Sequence, residues 1–80
     1  QSITVTGHTD DVPISNGQFR DNWDLGAGRA ASVVQAIQNT GLISGDRMSA
    51  VSKGEMAPLA DNNTAAGRKQ NRRIEIEISY

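Results

Sequence analysis

Apolar and polar positions divide the chain into five ordered stretches. In "SITVTG", Ile3 and Val5 alternate with Ser2, Thr4 and Thr6 until Gly7, the period-two pattern of a strand with one buried face. Residues 9–22, "TDDVPISNGQFRDN", hold Pro13, Asn16, Gly17 and several Asp and read as a loop. Loops that long in a compact domain tend to carry function. From Asp24 to Thr40 the apolar residues Leu25, Ala30, Val33, Val34 and Ile37 recur at helical spacing, and Gly41 is placed to close the helix.

Met48, Ala50 and Val51 mark a second short strand ending at Gly54. A strand, a helix and a second strand in that order predict a right-handed crossover with parallel pairing. "MAPLADNNT" is a further loop, and Thr64 is placed to cap a short helix reaching about Asn71. Last, Ile74, Ile76 and Ile78 alternate with Glu75, Glu77 and Ser79, which predicts a strand with one apolar, buried face and one wet face. The pattern therefore predicts an α+β or α/β domain: a small mixed sheet with helices packed on one face.

Composition narrows the function. Eighty residues make one domain, 1–80, too small for a deep active site beside a substrate domain. The formal net charge is −1, so no global basic field draws the chain to nucleic acid. The one basic cluster, "GRKQNRR", lacks aromatic residues and runs straight into Glu75 and Glu77, which argues against a nucleic-acid stripe. Cysteine is absent, which removes disulfides, thiolate nucleophiles and Cys-ligated zinc. No apolar run approaches a membrane span. A chain that begins one residue before a strand looks cut from a longer protein, so any membrane anchor is expected outside it. One Trp, one Phe and one Tyr leave the core to aliphatic residues, and Trp23 is placed to staple the long loop onto the sheet.

The candidate chemistry is concentrated in "GHTDD". His8, Asp10 and Asp11 supply the residue types of a hydrolase, but a single His is below the ligand count of a stable transition-metal site. No nucleophile elbow or second His accompanies it, so a structural hydrogen-bonding role for His8 is the expectation.

Four segments in order, "GHTDD" after the first strand, "NWDLGAGRAASVV" opening the helix, "GEMAP" after the second strand and "NNTAAGRKQNRRIEIEI" at the end, together resemble the OmpA-like peptidoglycan-binding domain shared by OmpA, Pal and MotB. The resemblance covers nearly the whole chain. Within the family, the Pro-containing insert "VPISNGQFRDNW" is most similar to the MotB branch, in which a flagellar stator subunit grips the cell wall. Two departures stand out. Gly26 occupies a helix-start position where Ser is common, and is expected to serve as N-cap there; "SKGE" replaces the frequent "GYGE", which alters a neighbouring surface through Ser52 and Lys53.

The resemblance implies an α+β, βαβαβ OmpA-like sandwich that binds peptidoglycan without catalysis and without a cofactor, through the diaminopimelate of the stem peptide. The residues matching the family's pair are Asp10 and Arg29, with Thr9, Asn22 and Leu25 as supplementary contacts and Arg73 as a further candidate in the "NRR" box. Physical chemistry agrees with the pair. A free amino-acid end is a zwitterion; Asp10 can accept from its ammonium while the planar Arg29 fork takes its carboxylate bidentately. First-turn N–H groups near Leu25 and Gly26 would add a second attraction. The same two charges can also simply pair with each other. The resemblance further implies a Gram-negative periplasm, with tethering to the inner or outer membrane by a segment outside the chain, and an outer-membrane porin or a lipoprotein as the alternative parent. A stator parent implies that two copies associate in the intact protein.

Overall fold

The computed structural model describes residues 1–80. Strand β1 (Ser2–His8) is followed by helix α1 (Asn22–Asn39), a 3-10 turn at Gly45–Arg47, strand β2 (Met48–Gly54), helix α2 (Ala65–Asn71) and strand β3 (Ile74–Ser79). The strand order is β2-β1-β3. β1 pairs in parallel with β2, Val5 opposite Ala50, and antiparallel with β3, Val5 opposite Ile76. The sheet is therefore mixed, as the order of elements predicts.

The alternating residues of β1 and the stripe of α1 meet in one small core. Ile3, Val5 and Ala30 are buried there, with Val33, Val34, Ile43 and Met48 packed around them. α1 can lie this close because two glycines face each other. Gly26, buried in the helix, sits on the backbone of Gly7, and a Cβ at Gly26 would come 2.9 Å from the Gly7 carbonyl oxygen.

Local chemistry sets the helix ends. α1 begins at Asn22, two residues before the predicted start, and its N-cap is Asp21, whose side chain accepts from the Asp24 N–H. Gly26 is thus not the cap: Asp21 supplies an acceptor that glycine lacks, which leaves Gly26 free to serve the helix–strand contact. At the other end Gly41 takes φ +76° just past the Thr40 cap, the left-handed closing residue expected there. Thr64 caps α2 by accepting from the Gly67 N–H.

Two expectations change. β3 forms where predicted, but its isoleucine face is not buried: Ile76 is 54% and Ile78 46% exposed. α1 packs on β1 and β2, and a helix about 10 Å wide covers about two strands spaced ~4.8 Å apart. Trp23 does not pin the long loop; its ring lies at Gly54, its carbonyl accepts from Ser52 Oγ at 2.8 Å, and the side chain remains half exposed. It fastens the start of α1 to the end of β2.

Candidate functional site

The end of β1, the following loop, the start of α1 and the C-terminal turn of α2 enclose a cavity of about 400 Å³ lined by Asp10, Val12, Pro13, Ile14, Asn22, Leu25, Arg68 and Arg72. Val12, Pro13, Ile14 and Leu25 give the lining its apolar part. Asp10, Arg68 and Arg72 add one carboxylate and two guanidiniums.

Asp10 is set firmly in place. One carboxylate oxygen accepts from the Val12 N–H at 3.0 Å and the other from Arg72 Nη1 at 2.7 Å. Its carbonyl accepts from the buried Thr9 hydroxyl at 2.7 Å and from Asn22 Nδ2 at 3.3 Å. Asn22 also donates to the Val12 carbonyl at 3.1 Å, so the first residue of α1 clips the loop to the strand exit. Thr9 in turn donates its N–H to the Gly54 carbonyl. Thr9 and Asn22 therefore hold Asp10 through its backbone, while Asn22 also reaches the cavity wall.

Both cavity arginines come from α2 and its cap. Arg68 donates from Nη1 to the Asn62 carbonyl at 2.9 Å. Arg72 caps the helix, with its N–H on the Arg68 carbonyl. The cap residue escapes the strand's alternation and turns inward. Behind them Asn71 is fully buried, accepting from the Leu59 and Ala60 N–H groups and donating to the Ala60 carbonyl and Asn62 Oδ1. That asparagine joins α2 to the preceding loop. Arg72 belongs to the "NRR" box, in which Arg73 is the expected contact, whereas no motif marks Arg68 as a contact; the i,i+4 spacing of Arg68 and Arg72 in "GRKQNRR" is that of one helix face.

The remaining candidates are distributed differently from the expectation. Arg29 is exposed, one helical turn beyond Leu25, outside the cavity lining and without an acidic partner within 4.0 Å. The Asp10–Arg29 ion pair is therefore absent, and Arg72 takes its place. Arg73 turns away from the cavity; Nε meets Glu75 Oε2 at 2.6 Å and Nη2 meets the Ala57 carbonyl at 3.1 Å. The Arg73 guanidinium holds the Glu75 carboxyl below its ordinary range. The Leu25 N–H is already spent on the Asp21 carbonyl and Gly26 is buried against β1, so neither amide is open to a ligand carboxylate.

His8 belongs to another neighbourhood. It is buried, with Nε2 at 3.4 Å from Glu75 Oε1, whereas Asp10 faces Arg72 and Asp11 is exposed. No common partner joins the three, and neither ring nitrogen of His8 makes a hydrogen bond, so the hydrogen-bonding role expected of it is not what the structure shows. No group of three metal-binding side chains is assembled, and no helix is long and apolar enough to cross a membrane.

Comparison with known proteins agrees with this fold. A relative called Motility protein B, from Bacillus subtilis, is 38% identical over 78 residues, which is 98% of this chain and 30% of that protein. The chain thus spans less than a third of it. The C-terminal domain of Helicobacter pylori MotB superposes with a TM-score of 0.89 at 33% identity, covering 99% of this chain and 59% of that one. The cell wall anchor of the T6SS from Pseudomonas aeruginosa gives 0.84 at 37%, covering 94% and 52%. The model of the OmpA family matches residues 1–72. With the family model matched over residues 1–72 and relatives of that fold matched over nearly its whole length, the chain belongs to the OmpA family.

Proposed function

We propose that the domain binds peptidoglycan through the diaminopimelate of the stem peptide and anchors a membrane-associated protein of the MotB kind to the cell wall without cleaving it. The observation that carries this reading is the cavity itself, whose lining combines a fixed carboxylate with apolar side chains. Asp10 has both oxygens oriented by other donors, yet a carboxylate offers about four acceptor positions, so it can still take an ammonium. Leu25, Val12, Pro13 and Ile14 suit the methylenes that separate the two ends of diaminopimelate. Arg29 would complete the clamp from outside the lining: it lies one turn beyond Leu25 on α1, helical side chains lean toward the N-terminus, and no acidic side chain pairs with it within 4.0 Å.

Binding rather than catalysis fits the charge arrangement. The Asp10 carboxylate is already engaged by Arg72 and the Val12 N–H, and the cavity lining offers no hydroxyl, thiol or imidazole to attack a bond. The wall-anchor name of one structural relative supports the same conclusion. The domain would work in the periplasmic space, tethered by a segment beyond 1–80, with two copies associating in a stator-like parent.

The test is cosedimentation with purified diaminopimelate-type peptidoglycan. Wild type pellets with the wall; Asp10→Ala and Arg29→Ala remain in the supernatant while keeping the wild-type circular dichroism spectrum. Retained pelleting by both variants overturns the proposal, and soluble wall fragments detected by mass spectrometry would return the domain to the hydrolases.

A further inference from the structure

The cavity holds more positive charge than a single zwitterion needs. Its lining contains one carboxylate, Asp10, and two guanidiniums, Arg68 and Arg72. Arg72 is matched by Asp10 at 2.7 Å. Arg68 has no carboxylate within 4.0 Å. It is half-buried, and its one side-chain hydrogen bond is to the Asn62 carbonyl. A cation partly withdrawn from water in a cavity lined partly by apolar side chains, without a counter-ion, is a standing electrostatic deficit that an anionic ligand group relieves.

Resting on the diaminopimelate reading, we infer that Arg68 is a specificity-determining residue of this site: it receives a second carboxylate, the one that ends the stem peptide. The bond to Asn62 uses one Nη1 hydrogen and pins one corner of the planar guanidinium. The remaining N–H groups keep a fixed direction, so a carboxylate meets donors already oriented. Asn71 holds Asn62 by its side chain at 2.7 Å, which extends that rigidity into the core of α2.

The ligand's chemistry identifies the second anion. The free end of diaminopimelate presents an ammonium, for Asp10, and a carboxylate, for Arg29. A stem that terminates at this residue carries one more negative group, its chain-terminal carboxylate, and Arg68 is the cavity cation left to bind it. Arg68 thereby makes the site selective for stems that end at diaminopimelate with a free acid, and amidation of that terminus removes the charge without changing the shape.

The experiment is calorimetric titration of the 1–80 chain with two synthetic tripeptides ending in diaminopimelate, one with both carboxylates free and one with only the chain-terminal carboxylate amidated. Wild type binds the free acid about tenfold or more tighter than the amide, the scale of one charge-assisted contact. Arg68→Gln binds both peptides with the affinity that wild type shows for the amide, while Arg29→Ala, weaker overall, keeps the preference for the acid. Equal affinity of wild type for the two peptides overturns the inference whether or not Arg68→Gln folds, and so does a folded Arg68→Gln that keeps the preference. Failure of wild type to bind either peptide overturns the diaminopimelate reading itself, and this inference with it.

Discussion

Asp10 and Arg72 meet at 2.7 Å across 62 residues of sequence, joining the exit of the central strand to the cap of the second helix. The carboxylate side chain is 12% exposed and the guanidinium 42%, so the pair is shielded more on the acidic side. Removing the arginine leaves a mostly buried carboxylate short of a donor. Arg72→Met should destabilise the fold by about 1–2 kcal/mol, less than a fully buried pair because water reaches the guanidinium. Urea unfolding of Arg72→Met, Asp10→Asn and the double variant checks this; the double variant should be more stable than the sum of the two losses.

Asn71 braces the loop before α2 through four hydrogen bonds of its side chain. Its amide satisfies the Leu59 and Ala60 N–H groups and takes acceptors on Ala60 and Asn62, all behind the two cavity arginines. Asn71→Ala strands those amides, a loss of about 2–4 kcal/mol for two such groups. Hydrogen exchange at Leu59 and Ala60 should accelerate more than at Val5, since the damage is confined to the α2 loop.

The closeness of α1 to β1 depends on Gly7. A Cβ there would land on the carbonyl group of Gly26, which is backbone and has little freedom to retreat, whereas a Cβ at Gly17 would meet nothing within 4 Å. Gly7→Ala should therefore cost about 2–3 kcal/mol or prevent folding, and Gly17→Ala should change stability by less than about 0.5 kcal/mol. Thermal unfolding of the two alanine variants side by side measures the difference.

How far the sequence disclosed this molecule depends on what kind of physical information each element needed. The strands and α1 were legible because Ile3 and Val5, and Ala30, Val33 and Val34, repeat a period that backbone geometry imposes. Gly41 and Thr64 were legible because their conformational roles are local. The start of α1 was not, since the family pattern pointed to Gly26 as the cap, whereas Asp21 supplies the capping carboxylate and Gly26 packs on Gly7. Of two adjacent arginines, Arg72 enters the cavity and Arg73 leaves it because α2 ends between them: the first is a helix cap and the second leads into a strand. Nor does alternation in β3 say whether anything lies over Ile76. A pattern names residues that share a face, while covering that face is a property of neighbouring elements.

The exposed face of β3 sets up a direct contrast. Val5 is fully buried between α1 and the neighbouring strands, and its cross-strand partner Ile76 is 54% exposed. Val5→Ala should cost about 2 kcal/mol through lost contacts and an unfilled space. Ile76→Thr keeps β-branching and should cost less than about 1 kcal/mol. Denaturant midpoints of the two variants test whether the core ends at β1; a larger loss at Ile76 than at Val5 would show that it extends across the third strand.

The Arg20–Asp24 pair gives the loop an acid-sensitive fastening. Arg20 Nε donates to Asp24 Oδ2 at 2.7 Å and Nη2 donates to Oδ1 at 3.0 Å, while the Arg20 N–H reaches the same carboxylate at 3.1 Å. The Arg20 side-chain bond above all, then its backbone bond, holds the Asp24 carboxyl down from an ordinary 3.8 to about 2. A folded-state pKa below the unfolded one means the carboxylate favours the folded state above about pH 3.8, and that contribution disappears as pH falls to about 2. Asp24 also lies in the first turn of α1, where negative charge is favoured. Because the pair is open to solvent, its effect should be small and should shrink with added salt. Unfolding midpoints measured between pH 5 and pH 2, a span of about three units around the ordinary carboxylate range, should fall less steeply in Asp24→Asn than in wild type. An unchanged slope would mean that the loop's fastening contributes nothing to the acid limb.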